Sequence, residues 1–321
     1  MSTQLSSMMD YYYGNMYEDL KALEQNRIRI YGNLKRYAMY ICLFCFIFMW
    51  ILSSLNVMKG FELLVLNVFL GTLVFGFLYR NEVAGFKSLF KDQIIEKIVH
   101  FIDDSLRYDK NGFISEGEYT KSMLFTKSYD RYRGDDLVSG MLDKTSIKFS
   151  DIHTEYETKD KDGKTHWHTI FQGLFFIADF HKDFNGKTVV LPDFAQRVFG
   201  GIGSWMQSLG KSKGELVKMD DPEFEKEFVV YGEQIESHYI LSHSMMERIL
   251  NFKKKTHKNV YISFIDSKIY VAVDYRKELF EPVIYKSLLE FGQIKGYFEM
   301  MEMFVGIVEE FRLNTRVWSK E

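Results

Sequence analysis

Only two cysteines and three prolines occur in this 321-residue chain, and its charges nearly cancel, at a formal net of −3. Each shortage excludes something. Cys42 and Cys45 sit three apart inside one uncharged run and no other cysteine follows. Neither a disulfide framework nor a cysteine nucleophile is therefore available to the C-terminal part, as fits a chain facing a reducing cytosol. Without a basic surplus, a nucleic-acid partner is not expected. No Gly-x-Ser-x-Gly elbow is present, so serine-hydrolase chemistry has no local support. Proline is scarce while aromatics reach 17%. The segment from Phe86 to Glu321 is thus equipped to bury a core rather than stay disordered.

What is present begins with two apolar runs. Tyr37 to Met58 carries no charge, and its 22 residues reach roughly 33 Å as a helix, enough for a hydrocarbon core of about 30 Å. Leu63 to Tyr79 is shorter, at about 17 residues, near the lower limit for a span. Its Asn67, Gly71 and Gly76 are residues of the kind that mark helix–helix contact in lipid. Lys21, Arg27, Arg29, Lys35 and Arg36 precede the first run, Arg80, Lys87 and Lys91 follow the second, and the turn between them has only Lys59. Length and apolarity predict two spans, 37–58 and 63–79, and the positive-inside rule places both termini in the cytoplasm. No small-residue cleavage site follows the first run, so it reads as an uncleaved anchor.

The fold class expected is α+β: a transmembrane hairpin with a helical stalk, then a cytosolic antiparallel sheet with packed helices. The domains are a tail and amphipathic helix (1–36), the hairpin (37–79), a juxtamembrane helix (80–107) and a cytosolic domain (108–321). Met1 to Asn15 reads as disordered. Met16 to Arg36 and Phe86 to Leu106 read as amphipathic helices able to pair as the stalk. Period-two patterning places strands at 145–149, 152–158, 164–171, 174–180, 187–191, 228–231, 237–241, 260–265 and 268–273, with 174–180 central. Asp162-Gly163 marks a hairpin turn. Asp221-Pro222 opens a short helix, and Ser244 with Glu247 reads as a capping box opening another. The chain closes in helix from about Pro282 to Leu313, broken near Gly292 to Gly296.

Four places have a chemical reading. Arg107 to Glu118 sets Asp109, Asn111, Gly112 and Glu118 on calcium-loop positions, but Arg107 puts a cation where the first carboxylate belongs. An Asn111-Gly112 turn accounts for the segment better. His153, His166 and His168 with Glu155 and Glu157 form a candidate metal set. A four-residue turn from Asp160 to Gly163 would place His166 opposite Glu157 and His168 opposite Glu155, which equally describes a solvated face of cross-strand pairs. Gly210-Lys211-Ser212 resembles the end of a phosphate loop, yet Trp205 stands where the earlier glycine is needed. The glycine-rich stretch 194–215 offers Trp205 and Met206 for contact with membrane or partner.

The motifs Tyr132-x-Gly134-x-Asp136-Leu137-Val138-x-Gly140, Ile170-Phe171-Gln172-Gly173-Leu174-Phe175-Phe176-Ile177-Ala178-Asp179-Phe180 and Asp221-Pro222-x-Phe224-x-x-x-Phe228-x-Val230-Tyr231 resemble a bacterial family. So do Tyr239-Ile240-Leu241-Ser242, Met246-Glu247-Arg248 and Leu313-Asn314-Thr315-Arg316-x-Trp318. It is domain-of-unknown-function family three-one-three-seven, some members of which are labelled galanin-like. His243 departs from it, where similar proteins favour Pro. The resemblance implies two membrane spans, and because the family has no established activity, cofactor or catalytic residues it carries no site onto this chain. By analogy it implies a LemA-type membrane protein as neighbour. The function expected is a non-enzymatic protein of the inner membrane, multi-pass with both termini cytoplasmic, whose cytosolic domain binds a protein partner or organises an assembly. A membrane-anchored metal-dependent enzyme and a lipid sensor acting through 194–215 are the alternatives. The oligomeric state, homo-oligomer included, is left open.

Overall fold

The computed structural model describes residues 2–54, 60–180, 184, 186–193 and 214–313. In chain order the helices are α1 (Ser2–Tyr11), α2 (Tyr17–Ser54), α3 (Phe61–Phe90), α4 (Glu96–Ile102), α5 (Glu116–Lys121), α6 (Pro222–Glu227), α7 (Gln234–Ile240), α8 (His243–Thr256), α9 (Phe291–Val305) and α10 (Ile307–Glu310). Short π-helical turns, Tyr12–Met16 and Lys91–Ile95, join α1 to α2 and α3 to α4. The strands are β1 (Arg107–Asp109), β2 (Arg131–Leu142), β3 (Thr145–Lys159), β4 (Thr165–Asp179), β5 (Lys187–Pro192), β6 (Glu215–Val217), β7 (Phe228–Gly232), β8 (Asn259–Ile265) and β9 (Lys268–Asp274). The chain divides into two compact units, Met1–Ile98 with Glu281–Phe298, and Val99–Phe280 with Glu299–Glu321.

The first unit is helical. Met8, Tyr12, Met16, Leu20, Leu23, Ile30 and Leu34 recur at helical spacing along the N-terminal helices and are buried, as are Val83, Phe86, Phe90, Ile94, Ile95 and Ile98 on the returning ones. This is the stalk that the sequence predicts, and it starts earlier. Ser2 to Met16 is helical where disorder is expected, because Met8 and Tyr12 extend the apolar face. Above the stalk, α2 and α3 continue as two helices long and apolar enough to cross a membrane. There the pattern inverts: Phe44, Trp50 and Phe77 are 66%, 67% and 65% exposed.

Segment 281–298 is held to the stalk by buried polar contacts. The Arg27 guanidinium makes two 2.8 Å hydrogen bonds to the Glu24 carboxylate, and its third nitrogen donates to the Ile284 carbonyl at 2.8 Å. Glu24 also accepts from the Leu288 N–H at 2.9 Å. Chiefly the Arg27 hydrogen bonds hold the Glu24 carboxyl below the usual range, against the opposing effect of burial. Lys91, in the second π turn and itself buried, pairs with Glu281 at 2.9 Å, and Lys87 reaches the same carboxylate at 2.8 Å. These contacts explain a correction. Helix is expected from Pro282, yet 282–290 is turn and coil and α9 begins at Phe291, since backbone groups of this stretch are taken by side chains of the stalk. Gly292 and Gly296 lie within α9, and the break falls at Gly306.

The second unit is built on a nine-stranded sheet, all antiparallel, ordered β1-β2-β3-β4-β9-β8-β5-β7-β6. With its helices it gives the α+β class. Phe175 and Phe176, neighbours in β4 and so on opposite faces, are both fully buried, as a central strand requires. One face packs Phe171, Phe175, Tyr261, Val189 and Leu191 under Tyr119, Leu124 and Phe125 of the α5 region. On the other, Phe304 meets Phe149, Tyr275 and Phe280 at centroid distances of 5.7, 6.0 and 6.1 Å.

Several element readings are corrected. Strand readings 145–149 and 152–158 are one strand, and so are 164–171 and 174–180. The polar interruption between the first two is satisfied in place, Ser150 Oγ accepting from the Ile114 N–H and Asp151 from the Leu279 N–H. At the second, Gly173 takes φ +151, where an added Cβ would lie 2.3 Å from the Val273 carbonyl oxygen. Ser237 to Leu241 is the helix α7 and its end, not a strand. Ser237 and Ile240 face the interior three residues apart, the Ser237 hydroxyl meeting Thr188 Oγ1 at 3.1 Å. The helix read from Ser244 begins one residue earlier, with Ser242 as N-cap. That puts His243 at the first helical position, where the proline of similar proteins fits without loss. The 86–106 helix stops at Ile102, and the strands β1, β2 and β6 are additional to the sequence reading.

Breaking the Glu24–Arg27 pair leaves a buried charge uncompensated. We expect Arg27→Ala to destabilise the detergent-solubilised chain by about 3–5 kcal/mol, with Arg29→Ala, at an exposed position, near neutral. Denaturant midpoints check this, and equal midpoints for the two variants would refute it.

Candidate functional site

The β3–β4 ribbon carries most of the candidate side chains. β3 pairs with β4 from Ile147↔Ala178 to Lys159↔Thr165. On the outer edge of β3 the β2 ladder ends at Arg131↔Glu155, and on the outer edge of β4 the β9 ladder ends at Gly173↔Asp274. Past these pairs the ribbon is a two-stranded arm with no third strand on either side among the described residues. Asp160 to Lys164 closes it, with Gly163 at φ +77.

The arm corrects the expected pairing of the histidines. A five-residue turn sets His166 opposite Thr158 and His168 opposite Tyr156, and a bulge between Thr154 and Glu155 shifts the register again only beyond Glu155. Glu157 faces Trp167, and Glu155 faces Thr169. His166 Nε2 lies 3.1 Å from Asp160 Oδ2 in the turn. This contact, then the backbone N–H groups of Lys164 and Asp162, keeps the Asp160 carboxyl below its ordinary range. His168 Nε2 is 2.8 Å from Thr158 Oγ1, and its ring stacks on Tyr156 at 4.9 Å. His153 Nε2 sits 3.4 Å from Thr169 Oγ1 and 3.8 Å from Glu155 Oε1. Glu157 accepts from Thr165 Oγ1 at 3.4 Å. Only His153 and Glu155, of the five candidate ligands, are brought together. Each of the other two rings has its own local partner, as in a solvated face of cross-strand pairs. Trp167 is half-buried under the Arg131 guanidinium, 3.3 Å from its ring centroid, and Lys127 lies 4.1 Å over Tyr156. The arm therefore presents aromatic surface framed by cations.

A second feature was not singled out as a site from sequence. Asp151 stands directly across from Asp135, and the next residue, Asp136, is buried in a bulge at φ +58. Asp136 accepts from the Tyr108 hydroxyl. Asp151 Oδ2 accepts from the Leu279 N–H at 2.7 Å, while Oδ1 is buried with no hydrogen-bond partner among the described residues. Burial above all, then the charges of Asp135, Asp136 and Glu278, push the Asp151 carboxyl up to about 8. The signal lay in the Tyr132–Gly140 motif, which holds Asp136. Its Gly134 is needed because an added Cβ would lie 2.6 Å from the Phe113 Cβ and 2.8 Å from the Asp151 carbonyl oxygen. The arrangement stores a proton rather than a charge.

The remaining candidates are dispersed. Arg107 and Asp109 belong to β1, Gly112 closes a turn on the Asp109 carbonyl at 3.2 Å, and Ser115 caps α5. Glu118 pairs with Lys148 instead of facing a loop centre. Trp205, Met206 and Gly210-Lys211-Ser212 lie outside the described residues, as does the 194–215 stretch except Gly214 and Glu215.

Residues 169–313 match the family model described as Protein of unknown function (DUF3137). The resemblance drawn from the motifs thus holds over this segment. No curated protein and no solved structure matches the chain.

The proton on Asp151 has a consequence for stability. Below about pH 4 the group is protonated in both folded and unfolded chain. Between about 4 and 8 the folded state holds a proton that the unfolded chain has lost, so stability falls as pH rises through this window. We expect the Tm of the solubilised chain to fall from pH 5 to pH 8, and Asp151→Asn to flatten the slope. An unchanged slope in the variant would refute the assignment.

Proposed function

We propose that the chain carrying this DUF3137 segment is an inner-membrane protein with both termini cytoplasmic, whose α+β domain binds a protein partner rather than catalysing a reaction. The membrane half of this reading is supported by Phe44, Trp50 and Phe77, each about two-thirds exposed on helices otherwise apolar. In water such surface is unfavourable by about 25 cal/mol per Å², and in lipid it is at home. Lys and Arg flanking the two helices favour the cytoplasmic side for both ends. On this reading the chain stays in the pellet after alkaline carbonate washing. Protease added to spheroplasts leaves the C-terminal domain intact and cuts it only after lysis. Cleavage in intact spheroplasts would reverse the orientation.

The single observation that carries the partner half is the β3–β4 arm. A two-stranded ribbon with no third strand among the described residues is marginal by itself in water, and its outer edges, beyond the Asp130 contacts to Glu155 and Glu157, invite a further strand. Tyr156 and Trp167 offer the aromatic anchors that dominate interfaces. A LemA-type membrane protein is the first partner to test, by the analogy of the family. We expect affinity purification from membranes solubilised in mild detergents to recover one specific partner. Joining Tyr156 to His168 through Asn-Gly, which removes the arm tip, lowers that recovery about tenfold or more. Equal recovery without the tip would refute the role of the arm.

The alternative of a metal enzyme at His153, His166, His168, Glu155 and Glu157 is disfavoured by the separate partners of His166 and His168. Elemental analysis of the purified chain distinguishes it: stoichiometric metal lost in His166→Ala would establish it over the binding reading.

A further inference from the structure

We infer that the membrane hairpin pairs with a second copy of itself, along a cleft between α2 and α3 at Asn67. This rests on reading those helices as membrane spans. The cleft has a volume of about 510 Å³, and its walls include Cys42, Cys45, Asn67, Gly71, Thr72 and Phe75. At Gly71 the helices nearly touch, since an added Cβ would lie 3.2 Å from both Cys45 Sγ and Ile41 Cγ2. Small side chains there keep the walls low enough for another helix to approach.

Asn67 and Thr72 are the exceptions in an otherwise apolar lining, and Asn67 differs from Thr72 in how it is satisfied. Asn67 is 5% exposed, and its amide nitrogen is buried with no hydrogen-bond partner among the described residues. Two hydroxyls of the spans have no such difficulty: Ser54 donates to the Trp50 carbonyl and Thr72 to the Val68 carbonyl of its own helix, each at 2.8 Å. Hydrocarbon tails offer an N–H no acceptor, so an acyl chain filling the cleft would leave the amide unsatisfied. A second Asn67 does not. An amide both donates and accepts, so two copies about a twofold axis satisfy each other with the same residue. The geometry thus points to a symmetric pair with Asn67 at the crossing. Cys42 and Cys45, the only thiols of the chain, would lie near the axis.

The full chain in native membranes, washed with alkaline carbonate, is treated with copper–phenanthroline and run without reductant. A dimer band is expected that vanishes in Cys42→Ser/Cys45→Ser. Two differently tagged copies should also co-purify, at least fivefold less in Asn67→Leu but near wild type in Asn67→Gln. If the chain resists carbonate yet neither cross-links nor co-purifies, the self-pairing is wrong while the membrane reading stands. Release by carbonate defeats the membrane reading and the pairing with it. Adducts to a different protein, or Asn67→Leu pairing like wild type, would overturn the second copy or the role of Asn67.

Discussion

Pairing between β4 and β9 is the contact on which the sheet depends. It joins β1-β2-β3-β4 to β9-β8-β5-β7-β6 through seven residue pairs, Gly173↔Asp274 to Asp179↔Lys268. Since β4 is flanked on both edges, every residue along the paired stretch must suit a site buried on two sides. This explains the run Leu174 to Ala178 and the glycine before it, which lets the strands close where the Val273 carbonyl leaves no room for a side chain. Where β9 ends, β3 and β4 continue together, and the arm is the part of that pairing the sheet does not use.

Polar groups inside each unit are handled in three ways. Glu24 and Arg27 keep their charges because each satisfies the other and a backbone group besides. Asp151 is buried with one backbone donor, the Leu279 N–H, and carboxylates rather than a cation raise its affinity for a proton, so it retains one. Asn67 has neither charge to give up nor a partner within the described residues, and in a bilayer only another protein segment can supply one. The burial of polar groups is thus informative where satisfaction is incomplete.

Much of this was legible in advance. The two helices long and apolar enough to cross a membrane show in uncharged runs, and the stalk helices and the hairpin of β8 and β9 show in periods of 3.6 and 2, because each of these buries a face defined along its own length. Other features depended on partners distant in the chain. Segment 282–290 is helix-compatible locally, but its Ile284 carbonyl and Leu288 N–H are engaged by Arg27 and Glu24, more than 250 residues away. Ser150 and Asp151 resemble a strand break until the Ile114 and Leu279 N–H groups occupy them.

The histidines show the same division most sharply. Composition along β3 and β4 established that they lie on a hairpin, and little more. One added turn residue moved each opposite partner by one position, separating His166 from Glu157 and His168 from Glu155. In a ladder of period two, a one-residue shift exchanges every facing pair. Residue type and spacing therefore determined the two long apolar helices, the stalk and the hairpin of β8 and β9. Tertiary structure decided register and the partners of buried polar groups, because both depend on atoms that approach only once the chain has folded.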